Sequence, residues 1–217
     1  MSSEDINFKH TSLQGIEGFD SKKSYSFGFF ASSRSGKTTL INYVMLKFLK
    51  DKINILMTDS AQNEIYKEPA FKKYSLVCPG FQPQLIKEAY KINKKTNNRY
   101  PFLFIMDDLV DIAKDPQILK LMTIYRNSSL GSIVSAQAPN AIVNKVGRGN
   151  IHFVFLGRYI TDEACEQAVK MYLNSWFPSK MSMIDKVKKY REITSKVGTF
   201  FFINNIQGTI EVIRLNL

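Results

Sequence analysis

The sequence predicts an α/β fold: a mainly parallel central sheet flanked by helices and closed by a C-terminal β-hairpin. Three observations predict it. Short apolar runs of strand length alternate with longer segments of helical period, the pattern of a parallel sheet covered by helices. Ile53 to Thr58 and Phe102 to Met106 are apolar almost throughout, as strands buried on both faces must be. Near the end, Thr199 to Ile203 and Thr209 to Leu215 are separated by Asn-Asn-Ile-Gln-Gly, which reads as a hairpin turn.

Residues 1–23 carry little periodic apolar content and are expected to be a lead-in to one domain over residues 24–217. Tyr25 to Ala31, aromatic and apolar, is the first expected strand. Thr38 to Leu49 follows as a helix, with Leu40, Tyr43, Val44 and Phe48 near one face. Ile53 to Thr58 is the second strand, and Tyr74 to Cys78 another before the Pro79-Gly80 break. Gln84 to Lys95 has helical period and gives way, through a basic polar connection, to the strand Phe102 to Met106. A short helix over Pro116 to Tyr125 and strands over Ser132 to Ser135 and Ile151 to Leu156 come next. Helices are expected over Asp162 to Leu173, with Thr161 as N-cap, and over Ser182 to Glu192 before the hairpin.

A chain of 217 residues with 44% hydrophobic content can bury a core without disulfides or metals to staple it. Cys78 and Cys165 stand far apart, outside any C-x-x-C or Cys/His cluster, which argues against a zinc site and suits a reducing compartment. Met1 to Asp20 lacks the apolar core of a signal peptide, and no run is long enough to span a bilayer. A soluble intracellular protein is expected. Thirty Lys and Arg against nineteen Asp and Glu leave a formal charge of +11, which favours a polyanionic partner.

Between the first strand and its helix lies Ala31-Ser-Ser-Arg-Ser-Gly-Lys-Thr38. A phosphate-binding loop needs a glycine-permissive turn there, because backbone N–H groups must converge on phosphate oxygens at a helix N-terminus. Gly36 lets the backbone approach closely, Lys37 supplies a cation for the β- and γ-oxygens, and the Thr38 hydroxyl is suited to Mg²⁺. Ala31 stands where the strict motif has glycine, which is compatible with the loop if φ there stays negative. The expected nucleotide-binding stretch is therefore Ala31, Ser32, Ser33, Arg34, Ser35, Gly36, Lys37, Thr38 and Thr39, with Thr39 following the metal ligand rather than being one.

A magnesium triphosphate site also needs a carboxylate at a neighbouring strand end, and hydrolysis needs a group to orient or deprotonate water. Phe102-Leu-Phe-Ile-Met-Asp-Asp108 offers both: Asp107 is assigned to the Mg²⁺ shell and Asp108 to the attacking water, with Asp111 as a substitute for either. Arg126 then precedes the next strand and Gln137 closes it.

This order of phosphate loop, apolar strand ending in two acids, arginine, and strand-end glutamine resembles the FtsK/HerA superfamily of DNA-pumping ATPases. Within it, residues 26–156 are most similar to the short genome-packaging ATPases of large DNA viruses and their virophage relatives. The resemblance implies a RecA/FtsK-like P-loop NTPase using ATP and Mg²⁺. It implies that Gln137 senses the γ-phosphate or the attacking water, and that Arg126 is a finger inserted into a neighbouring subunit's site. Arg148 is the alternative finger and Arg158 a further one. The implied partners are double-stranded DNA held without regard to sequence, further copies in a homo-oligomeric ring, and capsid or portal-vertex proteins. The implied location is the host-cell cytoplasm, the viral assembly site or the virion.

Positive side chains suited to a phosphate backbone are Lys91, Lys94, Lys95 and Arg99, then Lys186, Lys188, Lys189 and Arg191. Trp176, Phe177 and Pro178 are expected to pack or to line a subunit contact. Two other functions share the loop: a P-loop kinase acting on a small acceptor, and a nucleotide-gated assembly or DNA-binding protein.

Overall fold

The apolar runs do become strands, and the sheet they build decides where the polar loops meet. The computed structural model describes residues 10–11, 16–59, 64–109, 112, 115–138 and 145–215. In chain order the elements are β1 (His10–Thr11), β2 (Ser26–Phe30), α1 (Lys37–Val44), β3 (Ile53–Thr58), α2 (Glu64–Lys67), α3 (Pro69–Tyr74) and β4 (Ser75–Pro79). They continue with α4 (Pro83–Lys95), β5 (Phe102–Asp107), α5 (Pro116–Thr123), β6 (Leu130–Ala136), α6 (Lys145–Arg148) and β7 (Phe153–Leu156). The last are α7 (Asp162–Ala168), α8 (Met183–Ile193), β8 (Thr199–Asn204) and β9 (Thr209–Arg214).

The nine strands form one sheet in the order β1-β9-β8-β7-β2-β6-β5-β3-β4. From β7 to β4 all neighbours are parallel, while β8 runs antiparallel to both β7 and β9. The expected mainly parallel sheet and its closing hairpin are both present. β6 lies between β2 and β5, so the acidic strand is one strand removed from the one that feeds the loop.

Each face carries its own core. One is built from Leu40, Ile41 and Val44 of α1, Tyr66, Phe71 and the aromatic side of β2 and β7. The other gathers Ile86, Ile118, Leu121, Cys165, Ala168 and Tyr190 from α4, α5, α7 and α8. β2, β5, β6, β7 and β8 are buried along their whole length, which explains why β7, and β5 up to its closing Asp107, are apolar throughout. Phenylalanines couple neighbouring strands: Phe29 stacks on Phe155 at 4.6 Å and Phe155 on Phe202 at 4.8 Å between ring centroids.

Thr161 caps its helix as the sequence predicts, and Asp115 and Ser182 cap two more. Thr161 accepts from the Ala164 N–H, Asp115 from Gln117 and Ser182 from Asp185, each satisfying a first-turn donor. α1 and α7 both run on into π-type turns, Met45–Leu49 and Val169–Leu173, which fill the helix lengths read from the sequence. β7 begins at Phe153 rather than Ile151, because the Ile151 N–H is bonded to the Arg148 carbonyl and closes α6 instead. The short helices α2, α3 and α6 were not expected, since four to six residues do not display a helical period.

The lead-in is tied down where it is described. His10–Thr11 pairs with β9, Lys52 Nζ donates to the Ser21 and Lys23 carbonyls at 2.9 Å each, and Phe19 packs 5.1 Å from Tyr25. Residues 1–9 and 12–15 lie outside the described residues.

Phe155→Ala removes the ring that bridges β2 and β8 in a fully buried position. Urea unfolding should show a loss of about 3–5 kcal/mol, as for other buried phenylalanine truncations.

Candidate nucleotide site

β2 ends at Phe30 in the middle of the sheet and α1 begins at Lys37, so residues 31–36 must turn the chain within six positions. Gly36 makes this possible at φ 93°, and Arg34 takes φ 58° beside it. Ala31 is not among the residues of positive φ, which answers why alanine is accepted at the first position of the motif. The loop is clamped on three sides. Ala31 N–H donates to the Ala136 carbonyl at 3.2 Å, Ser32 N–H to Arg158 at 2.9 Å, and Gly198 N–H to the Ser35 carbonyl at 3.1 Å. Gly157 closes the floor: a Cβ there would lie 2.6 Å from the Phe200 ring and 2.9 Å from Ala31 Cβ. The first turn of α1 thus presents N–H groups that have no intrahelical partner, held in a fixed cup.

Lys37 is buried at the base of that cup. Its Nζ donates to the Ala31 carbonyl at 2.7 Å and the Ser32 carbonyl at 3.0 Å. Burial lowers its pKa, and the charges of Asp108 and Asp107 pull the other way.

Asp107 is the last residue of β5 and is fully buried. Thr38 Oγ1 donates to Asp107 Oδ2 at 3.3 Å, so the hydroxyl and the carboxylate expected to share a metal do meet. The Tyr66 hydroxyl donates to the same oxygen. Asp107 Oδ1 has no hydrogen-bond partner among the described residues. Burial raises the Asp107 pKa, and so does the neighbouring Asp108 charge; the Ser135 and Tyr66 hydroxyls and Lys37 act against them. Ser135 faces Asp107 from β6 without its Oγ closing a hydrogen bond. Asp108 leaves the strand at φ 51°, a left-handed turn, and its Oδ1 is also buried with no hydrogen-bond partner among the described residues.

An oxygen-only set of Thr38, Asp107 and Asp108, two of its carboxylate oxygens orphaned, fits a hard divalent cation that keeps several waters. Ser35 Oγ, buried and unpartnered in the loop, is a further donor for an anion.

Gln137 follows β6 directly and is exposed, one residue past the Ala136 carbonyl that holds the loop. It therefore lies on the loop's edge of the sheet. Arg126 does not. It precedes β6, and because β6 is parallel to β2 it sits at the strand-start edge, opposite the loop. There its Nη1 lies 3.3 Å from His152 Nε2, while Ser26 N–H donates to His152 Nδ1 at 3.0 Å. Arg148 ends α6, before β7 begins on that same edge. Arg158 leaves β7 on the loop edge, with its carbonyl on Ser32 and its side chain exposed. Asp111 lies outside the described residues.

Of the basic candidates, Lys94, Lys95 and Arg99 are exposed around the end of α4, and Lys188 on α8. Lys186 is buried and donates to Asn174 Oδ1 at 2.9 Å, which corrects its assignment to a phosphate-facing surface. Lys91 pairs with Glu88 at 2.8 Å, Lys189 with Glu192 at 3.4 Å, and Arg191 with Asp162. Phe177 is buried and Trp176 packs on the core, as expected of packing residues. No helix among the described residues is long and apolar enough to cross a membrane.

Tyr66 was missed by sequence reasoning. It comes 41 residues before Asp107, in a connection without recognisable period, and nothing in Glu64-Ile-Tyr-Lys67 announces a carboxylate partner.

A central strand running through a glycine turn into a helix, with an acid closing a strand two places away, is the fold of a P-loop NTPase of the RecA/FtsK-like type. The chain matches no family model and no curated protein by sequence. Among solved structures it is similar to the genome packaging NTPase B204 from Sulfolobus turreted icosahedral virus 2 in complex with ATP-gammaS. That match has TM-score 0.64 and 16% identity, and covers 89% of this chain and 98% of that one. It is also similar to the pCW3 conjugation coupling protein TcpA, with TM-score 0.61 and 14% identity, covering 90% of this chain and 61% of that one. The cytoplasmic domain of the Thermomonospora curvata type VII secretion ATPase EccC matches at TM-score 0.57 and 8% identity, over 87% of this chain and 25% of that one.

The strand-start edge has its own pH dependence. Burial, and secondarily the Arg126 charge, push the His152 pKa down to about 4 from 6.5. Between these values the unfolded chain binds the proton and the folded chain does not, so His152 contributes stability above about pH 6.5 that is lost as pH falls toward 4. Thermal unfolding from pH 7.5 to 4.5 should fall less steeply in His152→Gln than in the wild type.

Proposed function

We propose that the chain is an ATP-hydrolysing DNA translocase that packages a viral genome into its capsid as a homo-oligomeric ring. The observation that carries the reading is the contact of Thr38 with Asp107 beside the clamped loop, in a fold similar to that of a genome packaging NTPase over 89% of this chain. Residues 24–217 act as one ATPase domain. ATP is the triphosphate, by analogy with the ATP-gammaS complex of B204. Residues 31–39 hold its phosphates, Thr38 and Asp107 hold Mg²⁺, and Asp108 orients or deprotonates the attacking water. Bound Mg²⁺ supplies charge neutralisation for the phosphate oxygens.

Among the described residues Lys37 donates to two carbonyls, so an arriving phosphate offers its ammonium a stronger acceptor. Gln137 senses the γ-phosphate from the end of β6. Arg126, remote from the loop of its own chain, acts on the site of a neighbouring subunit, and Arg148 is its alternative. Hydrolysis then requires assembly, since a finger supplied in trans contributes about 10³ to 10⁵ in turnover. The +11 charge and the exposed Lys94, Lys95, Arg99 and Lys188 support a sequence-independent grip on duplex phosphates. Capsid or portal-vertex proteins are the further partners, at the assembly site in the host cell.

The purified full chain should hydrolyse ATP, and long linear duplex DNA should stimulate it. No stimulation in protein shown to assemble would sink the translocase reading. Lys37→Ala should abolish nucleotide binding. Asp108→Asn should retain binding, measured by equilibrium titration with a nonhydrolysable analogue, while turnover falls by about 10² to 10⁴.

A further inference from the structure

We propose that Tyr66 is a positioning residue for the metal-shell carboxylate, holding Asp107 by one oxygen so that the other is left for the metal's coordination sphere. The proposal rests on the function just given and adds to it a residue outside every nucleotide-binding motif.

The two oxygens of Asp107 are not equivalent. Oδ2 accepts from both Thr38 Oγ1 and the Tyr66 hydroxyl, while Oδ1 is buried and closes no hydrogen bond among the described residues. A buried carboxylate with one bare oxygen is costly unless something is to arrive there. The two donors on Oδ2 are not equivalent. Thr38 is itself suited to bind the metal through a lone pair, so the direction of its O–H follows the metal once the site fills. Among the described residues the Tyr66 hydroxyl donates to Asp107 alone. Its ring is 1% exposed, packs 5.1 Å from Phe71, and stands on α2 among the residues that cover the α1 face of the sheet. A hydroxyl on so rigid a support fixes the carboxylate's torsion, and Oδ1 is then the oxygen that neither Thr38 nor Tyr66 occupies. Outer groups of this kind orient metal ligands, and their removal typically weakens metal binding by about 10- to 100-fold.

α2 is not joined to the site by sequence, so Tyr66 also links the connection between β3 and β4 to the state of the metal shell. A purely structural reading is that a buried tyrosine simply needs an acceptor. The two readings differ in one measurable respect. A structural hydroxyl changes stability, whereas a positioning hydroxyl changes metal affinity at constant nucleotide affinity.

The test uses the full chain with a nonhydrolysable ATP analogue, titrated with Mn²⁺ as a spin probe, alongside nucleotide binding without metal and thermal unfolding. In Tyr66→Phe the Mn²⁺ half-saturation should rise about 10- to 100-fold, with metal-free nucleotide affinity within about twofold of wild type. Phe71→Leu loosens the same packing but keeps the hydroxyl, so it should lower the melting temperature and leave the half-saturation in place. Tyr66→His, which keeps a ring donor, should recover part of the loss. Unchanged half-saturation in Tyr66→Phe overturns the proposal, as does an equal shift in Phe71→Leu. Loss of cooperative unfolding in both Tyr66 variants assigns the hydroxyl to folding and overturns it too. If instead wild-type nucleotide binding is indifferent to metal, or Asp107→Ala leaves the metal titration unchanged, the nucleotide-site reading itself has failed.

Discussion

The parallel clamping of β2 between β6 and β7 is the constraint on which the rest of the molecule depends. Phe27 to Phe30 pair with Ile133 to Ala136 on one side and Phe153 to Leu156 on the other, so all three strands end at the same level. Parallel strands deliver their C-terminal ends to one edge, and what leaves these three is Ala31, Gln137 and Gly157-Arg158. Backbone bonds from Ala31 to Ala136 and from Gly157 to Phe30 stitch the exits together. Asp107 joins them one strand further along. Shifting any of these strands by one residue would turn its buried side chains to the other face and scatter the exits.

The same geometry gives the sheet two chemically different edges. Loop, acids and Gln137 share one. Arg126, His152 and Ser26 share the other, where a cationic guanidinium rests against a ring that its charge and burial keep neutral. In the proposed ring this separation has a use, because an arginine that cannot reach its own phosphates is free to serve those of a neighbour.

At the loop edge the electrostatics are deliberately incomplete. Burial pulls the Lys37 pKa down and pushes the Asp107 pKa up, and in both groups desolvation outweighs attraction to the other. Among the described residues two carboxylate oxygens and the Ser35 hydroxyl find no hydrogen-bond partner. A buried network left partly unsatisfied costs stability and is retained where a ligand completes it. The aromatic ladder through Phe29, Phe155 and Phe202 lies on the α1 face beside this cup and helps to hold its walls.

By itself the sequence determined whatever is local in its physics. The apolar runs specified the buried strands. The glycine turn before a helical period specified the loop, Asp107 and Asp108 marked a strand end, and Thr161 announced its helix. Only the tertiary structure decided which distant groups meet. Tyr66 reaches Asp107 through a connection with no readable period, and Lys186 looks solvated in a basic run yet is buried against Asn174. Arg126, though ordered among the motifs, falls on the far edge. The reason is that periodicity and turn chemistry act over a few residues, whereas strand order and facing are settled by how buried surfaces share one sheet.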